Sequence, residues 1–570
     1  MINFRNAFVA LLCCFFLFSN LQAQSGRIPV KGKNGMVVSS HYLASEVGKD
    51  ILKKGGNAVD AAVATAFALS VALPSAGNIG GGGFLVYYGA DGEKTTFNFR
   101  EKAPLKATPE MYLDENNHIK DHSNHDGILA VGVPGTVAGL YQAHQKQGNL
   151  SWEQLVQPAI DLAENGFEIG EDLADFSDWV YENRQKYPST AAIFLKFDSQ
   201  PFDPGDVLKQ PELAGTLRRI RDQGAEGFYS GKTAKLLHQF MKKNDGIITR
   251  KDLKRYRAEE LAPVTGSYRN YEIVGMPPPS SGGVAVIEML NILEGIPLKK
   301  YGQNSAQSLH LLTEAMRRAY ADRALFLGDA NFNPEMPLEK LTSKDYAGKL
   351  RESIEMKKAS FSDSANFNKE HLAYESPETT HLSVVDQEGN AVSLTYTLEQ
   401  SFGSKIVVEG AGFLLNNEMG DFNPIPGYTN SKGLIGTKPN LIAPEKRMLS
   451  SMSPTIVAKN GQPVIVIGSP GGRTIINTVL EVIVNMIDFD LDIAKAIESP
   501  RFHHQWLPDV TYFESWGFSP DTMELYEAMG HEIKTRSSQG RVMGIYIDTE
   551  NEELQGAADS RSPNGRAVGY

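Results

Sequence analysis

The chain has 570 residues, of which 41% are hydrophobic and 22% charged, so it is long enough to bury a large core. Its formal net charge of -12 and the lack of a long Lys or Arg block argue against nucleic acid or an anionic membrane surface as a partner. The 12 histidines show no spacing typical of metal ligands, so neither a metal nor a cofactor is expected.

The N-terminus has the pattern of a secretory signal peptide, predicted over residues 1–23. Arg5 supplies the positive charge, residues 7–18 form the apolar run, and Ala23 is the small residue before the expected cleavage point. The run is short for a membrane span, although an uncleaved anchor is a second interpretation. We therefore expect an exported protein, periplasmic or secreted, with no stable membrane association after the signal is removed.

The two cysteines of the chain, Cys13 and Cys14, both lie inside this segment. The mature protein would then contain no disulfide, and its nucleophile would not be a thiol. An exported protein without cysteine fits a periplasmic and an extracellular location equally.

The first strong pattern after the signal is a buried helix followed by a glycine run. The helix is predicted from Asn57 as N-cap, with Asp60 in its first turn, to a stop at Pro74. Four consecutive glycines, Gly80–Gly83, then precede a β-rich run over 84–88 and allow close backbone approach. They lack the Lys-Ser/Thr of a phosphate loop and precede a strand, so a nucleotide site is not expected.

The middle of the chain, about 150–375, is mostly helical in pattern. Residues 308–329 read as an ordinary amphipathic helix with arginines on its polar face, and 276–293 as a Pro/Gly turn that leads into another helix. The segment 360–378 is rich in Ser, Asn, Lys and Glu and is the one plausible interior boundary.

The run TTHLSVVDQEGNAVSLTYTL, residues 379–398, predicts a β-hairpin because polar and apolar residues alternate on both sides of a Gly-Asn turn. If Val385 and Ala391 close the turn, Thr379 lies opposite Thr397 on one face, and Thr380 points to the other. Such strand pairs, together with long helices, favour an α+β layered fold.

Thr379 becomes a catalytic candidate if the bond Glu378–Thr379 is cleaved. Its new α-amino group would titrate near pH 8 and would lie beside its own hydroxyl, so one residue would carry nucleophile and base. The hydroxyl of Thr397 would be its partner. The simpler interpretation is a pair of ordinary threonines at the edge of a strand.

A second glycine turn, in SPGGRTIINTVL, places Gly471 and Gly472 where an apolar helix begins. Backbone N–H groups at the positive end of a helix are suited to hold an oxyanion. A tight turn with a purely structural role is the alternative.

Together these residues resemble the gamma-glutamyltransferase (gamma-glutamyltranspeptidase) family of the N-terminal nucleophile hydrolase superfamily. The resemblance covers nearly the whole mature chain and is most specific in TTHLSVVD, LSSMSPTI and GSPGG. The other matching motifs, in the family's order, are GGNAVDAAVA, GNIGGGGF, FREKAP, GVPGTVAGL, MPPPSSGG, LLNNEMGDF and PRFHHQWLP. The resemblance implies a four-layer αββα sandwich built jointly from two segments of one precursor.

The resemblance also implies how the precursor matures. It would cut itself before Thr379 into a large subunit, 24–378, and a small catalytic subunit, 379–570, within a single intertwined globule. Thr379 would be the nucleophile in both self-cleavage and turnover, with Thr397 as hydroxyl partner. Gly471 and Gly472 would form the oxyanion hole.

The family's donor pocket maps onto five residues of this chain. Arg100 in FREKAP matches the arginine that binds the donor α-carboxylate, which suits a planar guanidinium. Ser450 and Ser451 match the serines at the same carboxylate. Asp421 matches the acid that binds the α-ammonium group, and Glu418 lines the same pocket.

Two features differ among members of the family. Glu399 stands where many members have Asn, and it is assigned to the substrate pocket. Residues 423–447 match a lid loop that members possess or lack, with Tyr428 as the candidate lid residue.

The activity implied is transfer of the γ-glutamyl group of glutathione or related compounds to water, an amino acid or a dipeptide. An alternative on the same scaffold is an amidase, either a cephalosporin acylase or an enzyme that processes poly-γ-glutamate. A rival of another class, an uncleaved binding protein without catalysis, fits poorly with the intact threonines and glycine pair.

Overall fold

The computed structural model describes residues 27–362, 379–432 and 434–570. The predicted signal peptide and the Glu378 side of the expected cleavage bond lie outside these residues. Among the described helices, none is both long and apolar enough to cross a bilayer.

Two antiparallel seven-stranded sheets form the centre of the molecule. The first sheet contains, in spatial order, Arg566–Gly569, Met36–Ser39, Thr380–Val385, Ala391–Thr397, Gly82–Tyr88, Lys94–Asn98 and Glu259–Leu261. The second sheet contains Val30–Gly32, Glu553–Ala558, Met543–Asp548, Gln462–Gly468, Thr455–Lys459, Tyr271–Gly275 and Val264–Tyr268. Smaller sheets pair Phe502–His503, Thr511–Glu514 and Ile533–Arg536, and Phe167–Glu168 with Val207–Leu208.

Helices cover the outer face of each sheet, which gives four layers. Those against the first sheet are Tyr42–Lys53, Ala58–Ala72, Thr136–Gln147, Trp152–Asn165, Glu171–Asn183, Pro188–Phe194, Pro211–Gln223, Glu226–Tyr229, Gly231–Lys243 and Arg250–Arg255. Those on the second side are Gly282–Glu294, Leu298–Tyr301, Ala306–Phe326, Leu338–Leu341, Lys344–Glu352, Thr474–Ile487, Ile493–Glu498 and Pro520–Ala528. Short 3-10 helices occur at Ile128–Ala130, Glu418–Asp421 and Lys438–Asn440. The expected α+β four-layer αββα sandwich is confirmed.

The alternation of side chains along the central hairpin, Thr380–Val385 and Ala391–Thr397, explains how the layers join. Leu382 and Val384 pack into the core beneath the first helical layer. Ser383, on the opposite face, donates a hydrogen bond to the Met543 carbonyl oxygen of the second sheet at 2.9 Å. Period two therefore assigns one face of the hairpin to helices and the other to a sheet.

The predicted hairpin register is confirmed from the turn outward. Val385 pairs with Ala391, and the ladder continues to Thr380 opposite Tyr396. Thr379 and Thr397 lie one step beyond this last pair, at the same end of the ladder.

The glycine run is required because other backbones pass close to it. A Cβ on Gly81 would lie 2.0 Å from the carbonyl oxygen of Thr397, and one on Gly80 would lie 2.1 Å from that of Leu414. No side chain fits at such distances, so the glycines allow the neighbouring chain to approach the end of the hairpin.

The predicted helix caps and starts are largely correct. The Asn57 side chain accepts hydrogen bonds from Val59 and Asp60, and the Asp60 carboxylate accepts one from the Asn57 N–H. The helix predicted over 308–329 spans Ala306–Phe326, but its expected exposed arginine face is wrong: Arg317 and Arg323 are buried. They are bound by groups from other elements, which periodicity does not reveal.

Candidate active site

The hairpin end opens into a narrow cavity of about 50 Å³ that collects most of the predicted site residues. The predicted residues on its wall are Arg100, Thr379, Thr397, Glu399, Glu418, Asp421, Ser450, Ser451 and Gly472. Gly471 precedes the lining residue Gly472 but is not itself on the wall. Tyr428 is also absent from the wall and instead packs in a small apolar cluster beside Ile425 and Leu434.

The two threonines are held at the base of this cavity. Thr379 is 6% exposed and Thr397 is 3% exposed. The Thr397 hydroxyl accepts a hydrogen bond from the Glu399 N–H at 2.8 Å, and the Thr397 carbonyl oxygen accepts one from Asn78 at 2.9 Å. These contacts fix the end of the second strand, so the hydroxyl of Thr397 has a defined position next to Thr379.

The glycine turn before the helix Thr474–Ile487 has an unusual backbone. Gly471 has φ +140° and Gly472 has φ +57°, a region that side-chain-bearing residues rarely adopt. The Thr474 hydroxyl donates to the Gly471 carbonyl oxygen at 2.7 Å and so ties the turn to the helix. The turn lies at the positive end of a helix, where negative charge is stabilised.

A buried charge cluster surrounds Arg100, whose side chain is fully buried. Its guanidinium forms ion pairs with Glu418 and Asp421 and lies 3.5 Å from Glu101. Burial opposes the charge on Arg100, but these carboxylates, Glu418 first, raise its pKa above the usual value. One permanent cation is therefore shared among three carboxyl groups.

The raised pKa values of two of these carboxyl groups show that the cluster has too little positive charge. Burial raises the pKa of Glu101 to about 8, although Arg100 opposes this change. Burial likewise raises the pKa of Glu418 well above its usual value, against the attraction of Arg100. A ligand group with a positive charge would relieve this imbalance.

Glu101 was not predicted from the sequence, although it directly follows Arg100 in FREKAP. Neighbouring residues on an extended chain normally point to opposite sides, so nothing in the spacing placed both charges together. In the structure both are fully buried and in contact.

Arg323 is a second residue that the sequence interpretation missed. It lines the cavity from the helix Ala306–Phe326 and donates hydrogen bonds to the hydroxyls of Ser451 and Ser281, each at 2.9 Å. The Ser281 hydroxyl in turn donates to the Ser450 carbonyl oxygen at 2.7 Å. Arg323 thus holds Ser451 directly and Ser450 through Ser281.

Glu399 lies on the cavity wall in a strained backbone conformation with φ +81°. Its side chain is buried, and Oε2 lies 3.5 Å from Nδ1 of His125. His125 lines a second, larger cavity of about 480 Å³. Glu399 therefore lies at the partition between the two cavities.

A separate cluster of His310, Glu314 and His531 has the composition of a metal site, because its potential ligand atoms lie within 4.8 Å of one another. Most of its atoms are already hydrogen-bonded, however, and His531 Nδ1 is the buried exception. His310 and His531 bond to each other at 2.8 Å, and Arg317 and Arg318 both bind Glu314. Two arginines on the one carboxylate oppose a cation, and the absence of a metal stays a prediction.

Comparisons with known proteins agree on one family. Residues 44–569 match the family model described as Gamma-glutamyltranspeptidase. The chain is 45% identical over 569 residues to a glutathione hydrolase proenzyme of Pseudomonas sp. (strain A14), covering 98% of each chain. It is 46% identical over 544 residues to the glutathione hydrolase proenzyme of Escherichia coli (strain K12), covering 95% of this chain and 93% of that one.

A solved structure, cephalosporin acylase from Bacillus halodurans, superposes with a TM-score of 0.83 at 29% identity. The superposition covers 97% of this chain and 98% of the acylase chain. The architecture is therefore shared across nearly the whole chain.

Proposed function

This chain belongs to the gamma-glutamyltranspeptidase family and is an enzyme that hydrolyses and transfers γ-glutamyl groups, and we propose that Thr379 is its nucleophile. The observation that carries the assignment of residues is one cavity that combines Thr379 and Thr397 with the charge cluster of Arg100, Glu418 and Asp421. Nucleophile and substrate-binding groups thus share one space.

We propose that the precursor matures by cutting the bond Glu378–Thr379, giving a large subunit, 24–378, and a small subunit, 379–570. Before the cut the nitrogen of Thr379 is part of a peptide bond and is not basic. Afterwards it is an amine close to its own Oγ1, with a pKa suited to general-base catalysis at neutral pH. Each of the two large sheets contains strands from both sides of the cut, which supports one intertwined globule of two pieces.

The donor is recognised by its zwitterionic α-carbon. Arg100 presents a planar fork for the α-carboxylate, and the hydroxyls of Ser450 and Ser451 lie on the same wall. The α-ammonium group pairs with Asp421 and Glu418. It adds the positive charge that the raised pKa of Glu418 indicates is missing, so donor binding exchanges one set of ion pairs for another.

Glu399 extends this negative wall. Its carboxylate lies on the same cavity, and its charge raises the pKa of Glu418 as a smaller contribution after burial. A third carboxylate near the ammonium position, beside Asp421 and Glu418, strengthens the attraction for a positively charged donor group.

The chemistry proceeds in two acyl-transfer steps. Thr379 Oγ1 attacks the γ-carbonyl carbon while the α-amino group accepts the hydroxyl proton, and the N–H groups of Gly471 and Gly472 stabilise the oxyanion. The C–N bond of the donor breaks, and the leaving amine takes up the proton. Water or an acceptor amine then attacks the ester, breaks its C–Oγ1 bond and restores the threonine.

Residues 423–447 are proposed as the lid. Asn423, Ile435 and Asn440 from this segment line the donor cavity, and the Asn440 side chain donates to the Asp421 carbonyl oxygen at 2.7 Å. Tyr428, the candidate lid residue, contributes by packing beside Ile425 rather than by facing the cavity.

We also propose that the enzyme is exported from the cytoplasm. The signal pattern of residues 1–23 and the absence of cysteine beyond it support a periplasmic or secreted enzyme that acts on glutathione, other γ-glutamyl compounds and amino-acid or dipeptide acceptors. The acidic chain is not expected to bind nucleic acid or to associate stably with a membrane.

The decisive experiment is turnover of γ-glutamyl-p-nitroanilide with and without glycylglycine. We expect anilide release in both conditions and faster release with the dipeptide. Thr379→Ala should remain a single uncleaved chain on a denaturing gel and release no anilide. N-terminal sequencing of the smaller wild-type piece should begin at Thr379; any other start would contradict the assigned nucleophile.

The same assay separates the enzyme from an acylase, which the shared architecture makes the second candidate. Glutaryl-p-nitroanilide has the same carbon chain and the same terminal carboxylate but lacks the α-ammonium group, which is the group proposed to bind both Asp421 and Glu418. If the cluster around Arg100 binds a zwitterion, kcat/KM should be at least about 100-fold higher for the γ-glutamyl compound, because charged hydrogen bonds are worth roughly 1.5–3 kcal/mol each. Preference for glutaryl-p-nitroanilide would favour the acylase.

A further inference from the structure

The second cavity directly adjoins the donor cavity. The two share four wall residues, Asp421, Asn423, Ile435 and Arg473. At about 480 Å³ the second cavity is within the size range of small-molecule sites. The proposed function places the α-carbon end of the donor in the narrow cavity beside Arg100, so the adjoining larger cavity is the space next to the other side of the scissile bond.

The wall of the larger cavity carries several acidic or titratable side chains but few permanent positive charges. Its wall has two carboxyl groups, Asp126 and Asp421, and two histidines, His122 and His125. Among the described residues on this wall, Arg473 is the one with a permanent positive charge.

The backbone of Arg473 is fixed next to the proposed oxyanion site. It directly follows Gly472 and is the N-cap of the helix Thr474–Ile487. Its carbonyl oxygen accepts a hydrogen bond from the Tyr320 hydroxyl. The helix end adds positive potential, and the half-buried side chain lies on both cavities, so it borders the place where the scissile bond must lie.

We propose that the second cavity, here called the amine cavity, holds the amine that leaves or accepts the γ-glutamyl group, and that Arg473 binds the carboxylate of that amine. This inference rests on the proposed function. It identifies the preferred acceptor class as amino acids and dipeptides with a free carboxylate, because a guanidinium binds a carboxylate through two parallel hydrogen bonds and an amide does not offer them.

Arg473 takes no part in bond exchange. The acceptor nitrogen attacks the ester carbonyl carbon, the C–Oγ1 bond of the acyl-enzyme breaks, and the amine proton passes through the Thr379 α-amino group to Oγ1. Arg473 fixes the far end of the acceptor so that its nitrogen faces the ester, which makes it a specificity-determining residue.

The first test uses the wild-type enzyme alone. Glycylglycine and glycylglycinamide offer the same attacking amine and differ at the carboxylate. With γ-glutamyl-p-nitroanilide as donor, we expect kcat/KM for the acceptor to be about 10- to 100-fold higher for glycylglycine, the range of a charge-assisted hydrogen bond. Equal values for the two acceptors would overturn the proposal without any substitution.

The second test assigns the preference to Arg473. Arg473→Gln should bring the ratio of the two acceptors close to one, and Arg473→Lys, which keeps the charge without the fork, should give an intermediate ratio. Lys120→Gln is the matched control, because Lys120 is exposed and follows the lining residue Ile119, so it removes one nearby positive charge from outside the wall. The control should keep the wild-type ratio.

An unchanged ratio in Arg473→Gln would overturn the proposal, as would a ratio in Lys120→Gln that falls as far. Anilide release by the wild-type enzyme without acceptor reports the proposed function separately. If that release is absent, the proposed function fails; if it is present and the acceptor preference is missing, the inference about Arg473 alone fails.

Discussion

At the scale of single residues, the donor cavity depends on an excess of buried carboxyl groups around one guanidinium. Burying an unpaired charge is costly. The single positive charge of Arg100 already pairs with Glu418, so it does not also neutralise a charge on Glu101. The molecule therefore holds a carboxyl group that resists ionisation beside its candidate substrate site, an arrangement typical of functional sites.

This arrangement predicts a pH dependence of stability. Burial raises the pKa of Glu101 from 4.5 to about 8, so the folded state holds this proton more tightly than the unfolded state. Its favourable contribution is present below pH 4.5 and is lost as the pH rises through about 8. Glu101→Gln removes the titration, so the melting temperature of the variant, relative to wild type, should rise between pH 5 and pH 8.5.

The matched control is Glu550→Gln, which removes one carboxylate from an exposed turn. Differential scanning calorimetry of the three proteins across the pH range gives the comparison. If the difference between Glu101→Gln and wild type is independent of pH, or no larger than that of the control, the carboxyl group of Glu101 titrates elsewhere.

At the scale of elements, the glycine turn before Thr474–Ile487 is the feature that depends most on backbone conformation. A Cβ on Gly471 would lie 2.5 Å from the Thr474 hydroxyl, which ties the turn to the helix. If this turn forms the proposed oxyanion site, Gly471→Ala should misplace its N–H groups and lower kcat by about 100- to 1000-fold, with a smaller change in the donor KM.

The control for backbone strain is Gly461→Ala. Gly461 has φ +78° in the turn between Thr455–Lys459 and Gln462–Gly468, with no atom within 4 Å of a new Cβ. It should lose about 1–2 kcal/mol of stability for the left-handed conformation and retain kcat. Equal loss of kcat in both variants, or none in Gly471→Ala, would remove the turn from the catalytic apparatus.

The elements also show how far sequence reasoning extends. The hairpin register could be predicted because period two and a short turn fix every pair from Val385–Ala391 outward. The contact between Arg323 and Ser451 could not be predicted, because it depends on how a helix packs against a distant turn. The placement of Tyr428 away from the cavity likewise follows from long-range loop packing.

The residues of the proposed donor pocket were predicted through family resemblance rather than through spacing. Arg100 and Asp421 are far apart in the chain, and nothing in the local pattern brings them together. Their contact arises because the segment after Lys94–Asn98 and the 3-10 helix Glu418–Asp421 meet beside the same hairpin end. Local patterns predicted the hairpin and an α+β layered fold, whereas the four-layer arrangement and the pocket residues came from the family resemblance.

At the scale of the whole molecule, the proposed cut would divide a pair of sheets rather than separate two domains. In the first sheet four strands precede residue 363 and three follow residue 378; in the second the numbers are three and four. The central hairpin lies between Met36–Ser39 and Gly82–Tyr88, so its backbone hydrogen bonds on both edges come from the other piece.

The two pieces should therefore remain one particle after self-cleavage. We expect a single species on native size-exclusion chromatography, two bands on a denaturing gel and one cooperative thermal transition. The fragment 379–570 expressed alone should lack a cooperative transition by circular dichroism, because its hairpin would expose unpaired edges and half of an apolar core. Co-expression of the two fragments should restore both the transition and anilide release. Separation of the pieces under native conditions, or a stable fold of 379–570 by itself, would show that the sheets do not depend on strands from both subunits.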